Sequence, residues 1–83
     1  MKKRLQRIPA KHRREIEAEI KGIARKLQKK REEEGLTQER LAERLDISPM
    51  AVQFIEQGRR VPSIPMLLYL LRDLGLKMTI DDV

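Results

Sequence analysis

The sequence predicts an all-α fold of about five helices with a short C-terminal β-strand, and three observations carry that prediction. Apolar residues recur every three to four positions through most of the chain, the period of a helix with one buried face. Between those stretches stand Thr37, Ser48 and Ser63, suited to N-caps, and Gly35, Gly58 and Gly75, suited to stops. Only after Gly75 does the period fall to two, in "LKMTI".

The elements follow in order. Residues 1–8, "MKKRLQRI", are basic and aperiodic and are expected to fray. Pro9 suits a helix start, where its missing N–H costs nothing. Ile16, Ile20, Ile23, Ala24 and Leu27 then predict one long helix from Ala10 to Glu34, or two broken near Gly22. Glu17 and Lys21 add a favourable i,i+4 pair.

Thr37 caps the next helix, which buries Leu41, Ala42 and Leu45 and is broken by Asp46. Ser48 and Pro49 open another, with Ala51, Val52 and Ile55 as its apolar stripe, and Gly58 closes it. After the loop "RRVPS", Ser63 caps a last helix reaching about Leu74. Its expected core stripe is Ile64, Leu67, Leu68, Leu71 and Leu74, with Met66, Tyr69 and Leu70 on another side. Leu76, Met78 and Ile80 alternate with Lys77 and Thr79 as the strand. The organisation is a basic arm or helical extension (1–19), a helical domain (20–75) and the strand (76–83).

Eighty-three residues make one small domain with a modest core, too small for an enzyme with a deep cleft. There is no cysteine, hence no disulfide framework and no thiolate metal site. No apolar run approaches the roughly 18 residues of a membrane span, and the basic N-terminus lacks the apolar core of a secretory signal. A cytoplasmic location is the expectation. His12 is the only histidine and belongs to the solvated basic segment. No metal site, cofactor or catalytic residue is expected.

The net charge of +6 is unevenly spread. Residues 1–31 carry 13 Lys/Arg against 3 acids, whereas residues 32–83 carry 6 against 10. The basic third suits a polyanionic partner or a solvated helix face.

Against that background "SPMAVQFIEQG" (Ser48–Gly58) holds a single charge, Glu56, in a chain that is 39% charged. Its outward side carries Pro49, Met50, Gln53 and Phe54 instead of lysines and glutamates. The helix before it is separated by only about three residues, so the two must cross steeply. Ala42 is small enough for the second backbone to pass over it, and Asp46 tolerates a left-handed turn. That spacing is a helix-turn-helix signal.

"LTQERLAERLDISPMAVQFIEQGRRVPS" resembles the helix-turn-helix of the lambda-repressor-like, Cro/C1-type (xenobiotic-response-element-like) family, over about residues 20–75. The resemblance implies that Pro49, Met50, Gln53 and Phe54 face DNA bases, and that Gln38, Ser48, Gln57, Arg59 and Arg60 contact phosphates. It also implies a buried ion pair between Arg31 and Glu56. Two departures stand out: Asp46 replaces the usual glycine, and Pro49 replaces a polar residue that often reads a base. An uncharged reading face fits a groove in which unpaired charges are costly to desolvate. Gln53 can pair bidentately with adenine, and Met50 and Phe54 can lie against thymine methyls, which predicts A·T positions.

The last helix carries more apolar surface than so small a core needs. Met66 and Leu70, with Leu76, Met78 and Ile80 of the strand, are the expected homodimer contacts. A dimer places two recognition helices about one DNA turn apart, matching a palindromic operator. The expected function is a DNA-binding transcriptional regulator, a repressor of bacterial or phage origin. The ending "LGLKMTIDDV" looks most like the antitoxins of toxin–antitoxin operons, which implies a toxin protein as a second partner. Two rivals remain: a protein-interaction module that has kept the fold, and a sequence-neutral DNA binder driven by the basic third.

Overall fold

The computed structural model describes residues 5–82; residues 1–4 of the basic arm and Val83 of the expected strand lie outside them. Four helices of eight residues or more occur among the described residues: α1 (Ala10–Glu33), α2 (Gln38–Leu45), α3 (Pro49–Glu56) and α4 (Ile64–Asp73). Residues 5 and 6 are helical as well.

Of the two alternatives for the first helix, the single long one is observed: α1 runs unbroken for 24 residues through Gly22. A helical glycine costs about 1 kcal/mol relative to alanine but keeps its N–H in the ladder. The packed Ala24 and Leu27 just beyond it hold the helix straight through. The boundary between arm and domain at residues 19 and 20 therefore falls inside a continuous helix. Ahead of α1, the described part of the arm does not fray freely. The Arg13 guanidinium donates to the carbonyls of Leu5, Gln6 and Ile8 at 3.1, 3.3 and 3.0 Å and folds that segment back on the helix.

The core gathers one to three side chains from each helix: Leu27 from α1, Leu41, Ala42 and Leu45 from α2, Val52 and Ile55 from α3, Leu70 and Leu74 around the end of α4. Each fully buried leucine or valine contributes roughly 1.5–3 kcal/mol. The strongest tie joins α3 to α2; α3 also packs on α1, and α2 on α4. At the C-terminal end of α2 the Arg44 guanidinium pairs with Asp73 at 3.2 Å, and the Tyr69 hydroxyl donates to the Arg44 carbonyl at 3.2 Å.

Helix α4 is rotated relative to the expected stripe. Leu70 is 1% exposed and belongs to the core, whereas Ile64 is 70% and Leu68 46% exposed. Leu67, Leu70, Leu71 and Leu74 form the inward row, an i, i+3, i+4, i+7 set. Leu70 is thus corrected from a dimer contact to a core residue. Leucines encircle this helix, so its composition leaves the phase open and packing against α2 selects it.

The expected strand is also corrected: residues 76–82 have no regular secondary structure. A strand needs a ladder partner, and no other strand exists among the described residues. Leu76 is half-buried against the core with its N–H bonded to the Leu71 carbonyl at 2.7 Å, so it too faces inward. Met66 is half-buried, and Met78 and Ile80 are exposed.

Candidate nucleic-acid interface

Three local devices aim α3 outward. The Thr37 hydroxyl accepts the Arg40 N–H at 3.0 Å and starts α2. Asp46 then adopts φ 56°, ψ 45°, the left-handed conformation, and the Ile47 N–H returns to the Ala42 carbonyl at 3.0 Å. Finally the Ser48 hydroxyl accepts the Ala51 N–H at 3.1 Å, with Pro49 in the first turn. This sequence of cap, reversal and cap turns the chain within three residues and leaves Ala42, 1% exposed, beneath the crossing.

One side of α3 is buried through Ala51, Val52, Ile55 and Glu56. The opposite side presents Pro49, Met50 and Gln53 to solvent, Met50 at 61% exposure, with no charge among them. Phe54 is half-buried beside them and carries the Arg59 guanidinium 4.8 Å above its ring centre. Such a cation–π contact contributes about 0.5–1 kcal/mol at an exposed site and fixes Arg59 at the edge of the reading face. Arg59 also reaches the Gln57 side-chain oxygen, at 3.5 Å. Ser48, Gln57 and Arg60 are exposed at the two ends of the helix.

The base of α3 is held by a polar cluster. Arg31 donates through Nε to Glu56 Oε2 at 2.6 Å and through Nη2 to Oε1 at 3.1 Å, a bidentate pair with both residues 7% exposed. Its Nη1 donates to the Leu36 carbonyl at 2.6 Å. The hydrogen bond to Glu56 raises the Arg31 pKa from its ordinary value, against desolvation, so the guanidinium stays charged. Gln38 joins them, its Nε2 donating to Glu56 Oε1 at 3.0 Å.

The expected residues therefore separate into three groups. Pro49, Met50, Gln53 and Phe54 share one face, with Ser48, Gln57, Arg59 and Arg60 around it. Gln38 is engaged with Glu56 through its amide nitrogen, which leaves its oxygen for any further contact. Met66, Leu70, Leu76, Met78 and Ile80 do not form one exposed patch, since Leu70 is in the core.

Sequence reasoning missed Lys21. An added Cβ at Gly58 lies 3.0 Å from Lys21 Cγ, so the middle of α1 touches the end of α3 beside Arg59 and Arg60. No signal along the chain links positions 37 residues apart, although a glycine at that helix end marks a close approach.

The Helix-turn-helix family profile matches residues 27–80, well over half of the chain and all of α2 through α4. The chain belongs to the Cro/C1-type helix-turn-helix family. No curated protein and no solved structure matches it. As a helix-turn-helix protein it is a DNA-binding regulator, and α3 is the second helix of the motif. None of the helices among the described residues is long and apolar enough to cross a membrane.

Proposed function

We propose that this helix-turn-helix protein is a transcriptional repressor that binds a palindromic operator as a homodimer and carries out no catalysis. The observation that carries the reading is the uncharged outer face of α3, flanked by Arg59 and Arg60, in a chain rich in charge. Major-groove readout takes place where water is displaced, and a face of Met50, Gln53 and Phe54 enters without stranding a charge. Gln53 hydrogen-bonds adenine N6 and N7, while Met50 and the Phe54 edge contact thymine methyls. Ser48, Gln57, Arg59, Arg60 and the free oxygen of Gln38 take the phosphates and set the register. Lys21, beside Arg59 and Arg60, extends that grip along the backbone.

The test is selection of the purified protein against randomised duplexes at near-physiological salt, followed by sequencing of the retained DNA. An enriched palindrome with A·T positions and half-sites about one turn apart is the expected result. A flat library, with binding that only fades as salt rises, overturns sequence-specific reading and leaves a sequence-neutral binder.

A further inference from the structure

Residues of α1 and α4, with Leu76 and Lys77, line an open groove of about 390 Å³. Its floor is apolar, built from Ile23, Leu27, Leu71 and Leu76; its rim carries Lys26, Lys29, Lys30 and Lys77 against the single acid Glu33. Lys30 pairs with Glu34 at 3.6 Å. Among the described residues Lys26, Lys29 and Lys77 have no carboxylate within 4 Å. An apolar floor inside a ring of cations selects a ligand that is apolar in the middle and acidic at its edge.

The chain itself contains such a segment, and it is unused. Met78, Thr79, Ile80, Asp81 and Asp82 are all exposed, Ile80 at 93%. This segment cannot readily fill the groove of its own protomer. Leu76 is pinned at the groove's edge by its hydrogen bond to Leu71, and a reversal within Lys77–Thr79 has neither glycine nor proline to make it. A second copy has no such constraint.

We infer that the Met78–Asp82 segment of one protomer docks in the α1–α4 groove of a second copy, Met78 and Ile80 on the apolar floor and Asp81 and Asp82 against Lys26 and Lys29. The exchange is reciprocal, as an isologous two-fold contact requires. It rests on the dimeric reading above and replaces strand pairing with tail-in-groove docking. It also buries the exposed apolar side chains Ile23, Met78 and Ile80 without using the DNA face.

The test is a charge swap in the full chain without DNA, read by sedimentation equilibrium, with circular dichroism to verify folding. Variant K26E/K29E and variant D81K/D82K each place like charges at both contacts. Each is expected to weaken self-association by about tenfold or more. An equimolar mixture of the two restores complementary charge at both contacts and is expected to return to dimer, as is the quadruple variant. Dimers that persist in both variants overturn tail docking while leaving a dimer held elsewhere, strand pairing included. Loss in each variant without rescue in the mixture also overturns it. A wild-type chain that is monomeric overturns both the docking and the dimeric reading, whereas the duplex selection reports on base reading by itself.

Discussion

Arg31 and Glu56 meet in a bidentate contact of 2.6 and 3.1 Å that joins the C-terminal turn of α1 to the last residue of α3. Both are almost fully enclosed, and each carries a further bond, Arg31 to the Leu36 carbonyl and Glu56 from Gln38. The orientation of the reading helix is therefore coupled to the helix that supports it. Removing one partner strands a buried charge, so Glu56→Ala is expected to lose about 3–5 kcal/mol of stability. Replacing both, as in R31M/E56L, is expected to recover most of that loss. Urea unfolding of the four-member mutant cycle measures the coupling, and equal losses in the single and double variants contradict it.

Gln38 touches the same carboxylate with a neutral amide, and its removal strands no charge. Gln38→Ala is expected to cost about 1.5–3 kcal/mol, less than Glu56→Ala, in the same unfolding measurement.

Asp46 holds the turn in the left-handed region at φ 56°. That conformation costs a residue with a side chain about 1–2 kcal/mol, least for Asp and Asn. Asp46→Gly is expected to stabilise the domain by up to about 1 kcal/mol, and Asp46→Val to destabilise it by about 1–2 kcal/mol. Thermal unfolding distinguishes them. Equal midpoints contradict the strained turn.

Leu70 and Ile64 lie on opposite sides of α4, 1% and 70% exposed. Leu70→Ala is expected to cost about 2–5 kcal/mol through the cavity it leaves. Ile64→Ala is expected to stay within about 0.5 kcal/mol of wild type. Denaturant midpoints reveal the phase of the helix directly, and the reverse order contradicts it.

Gln53 and Arg59 divide the proposed work on DNA. Gln53→Ala is expected to cost about 1–3 kcal/mol of discrimination at one base position, with little change on unrelated duplexes. Arg59→Ala is expected to weaken all duplexes alike and to reduce the salt slope by about one. Titrations of matched and single-substituted operators at several salt concentrations separate the two, and a uniform loss in both variants removes the distinction.

Gly58 has φ +72°, and a Cβ there meets Lys21 Cγ at 3.0 Å. Gly58→Ala is therefore expected to destabilise by about 1 kcal/mol or more through backbone strain. The contact explains how a residue near the middle of α1 comes to lie beside Arg59, a proximity that separation along the chain conceals.

The capped starts at Thr37, Ser48 and Ser63, the left-handed Asp46 and the stripe of Ala51, Val52 and Ile55 were legible in the sequence. Each is a local arrangement, completed within a few residues by a hydroxyl, a backbone preference or a helical period. What was not legible is of another kind. Gly22 left one long helix and two shorter ones both open, because its intrinsic cost is visible while the packing that offsets it is not. The alternation after Gly75 read as a strand because period two is local, whereas a strand exists only with a neighbour. Leu70 read as surface because α4 is leucine-rich nearly all round, and no count of leucines selects a phase.

By itself the sequence determined where the helices start and stop, that two of them form a helix-turn-helix, and that the second shows an uncharged face. Those follow from capping, steric preference and periodicity, which act over one or two turns of chain. Only the tertiary structure decided which side of α4 is core, that Gln38 joins the Arg31–Glu56 pair, and that a Lys-rimmed apolar floor is left open between α1 and α4. Those depend on how rigid elements fit against one another, an outcome of packing between residues far apart in the chain.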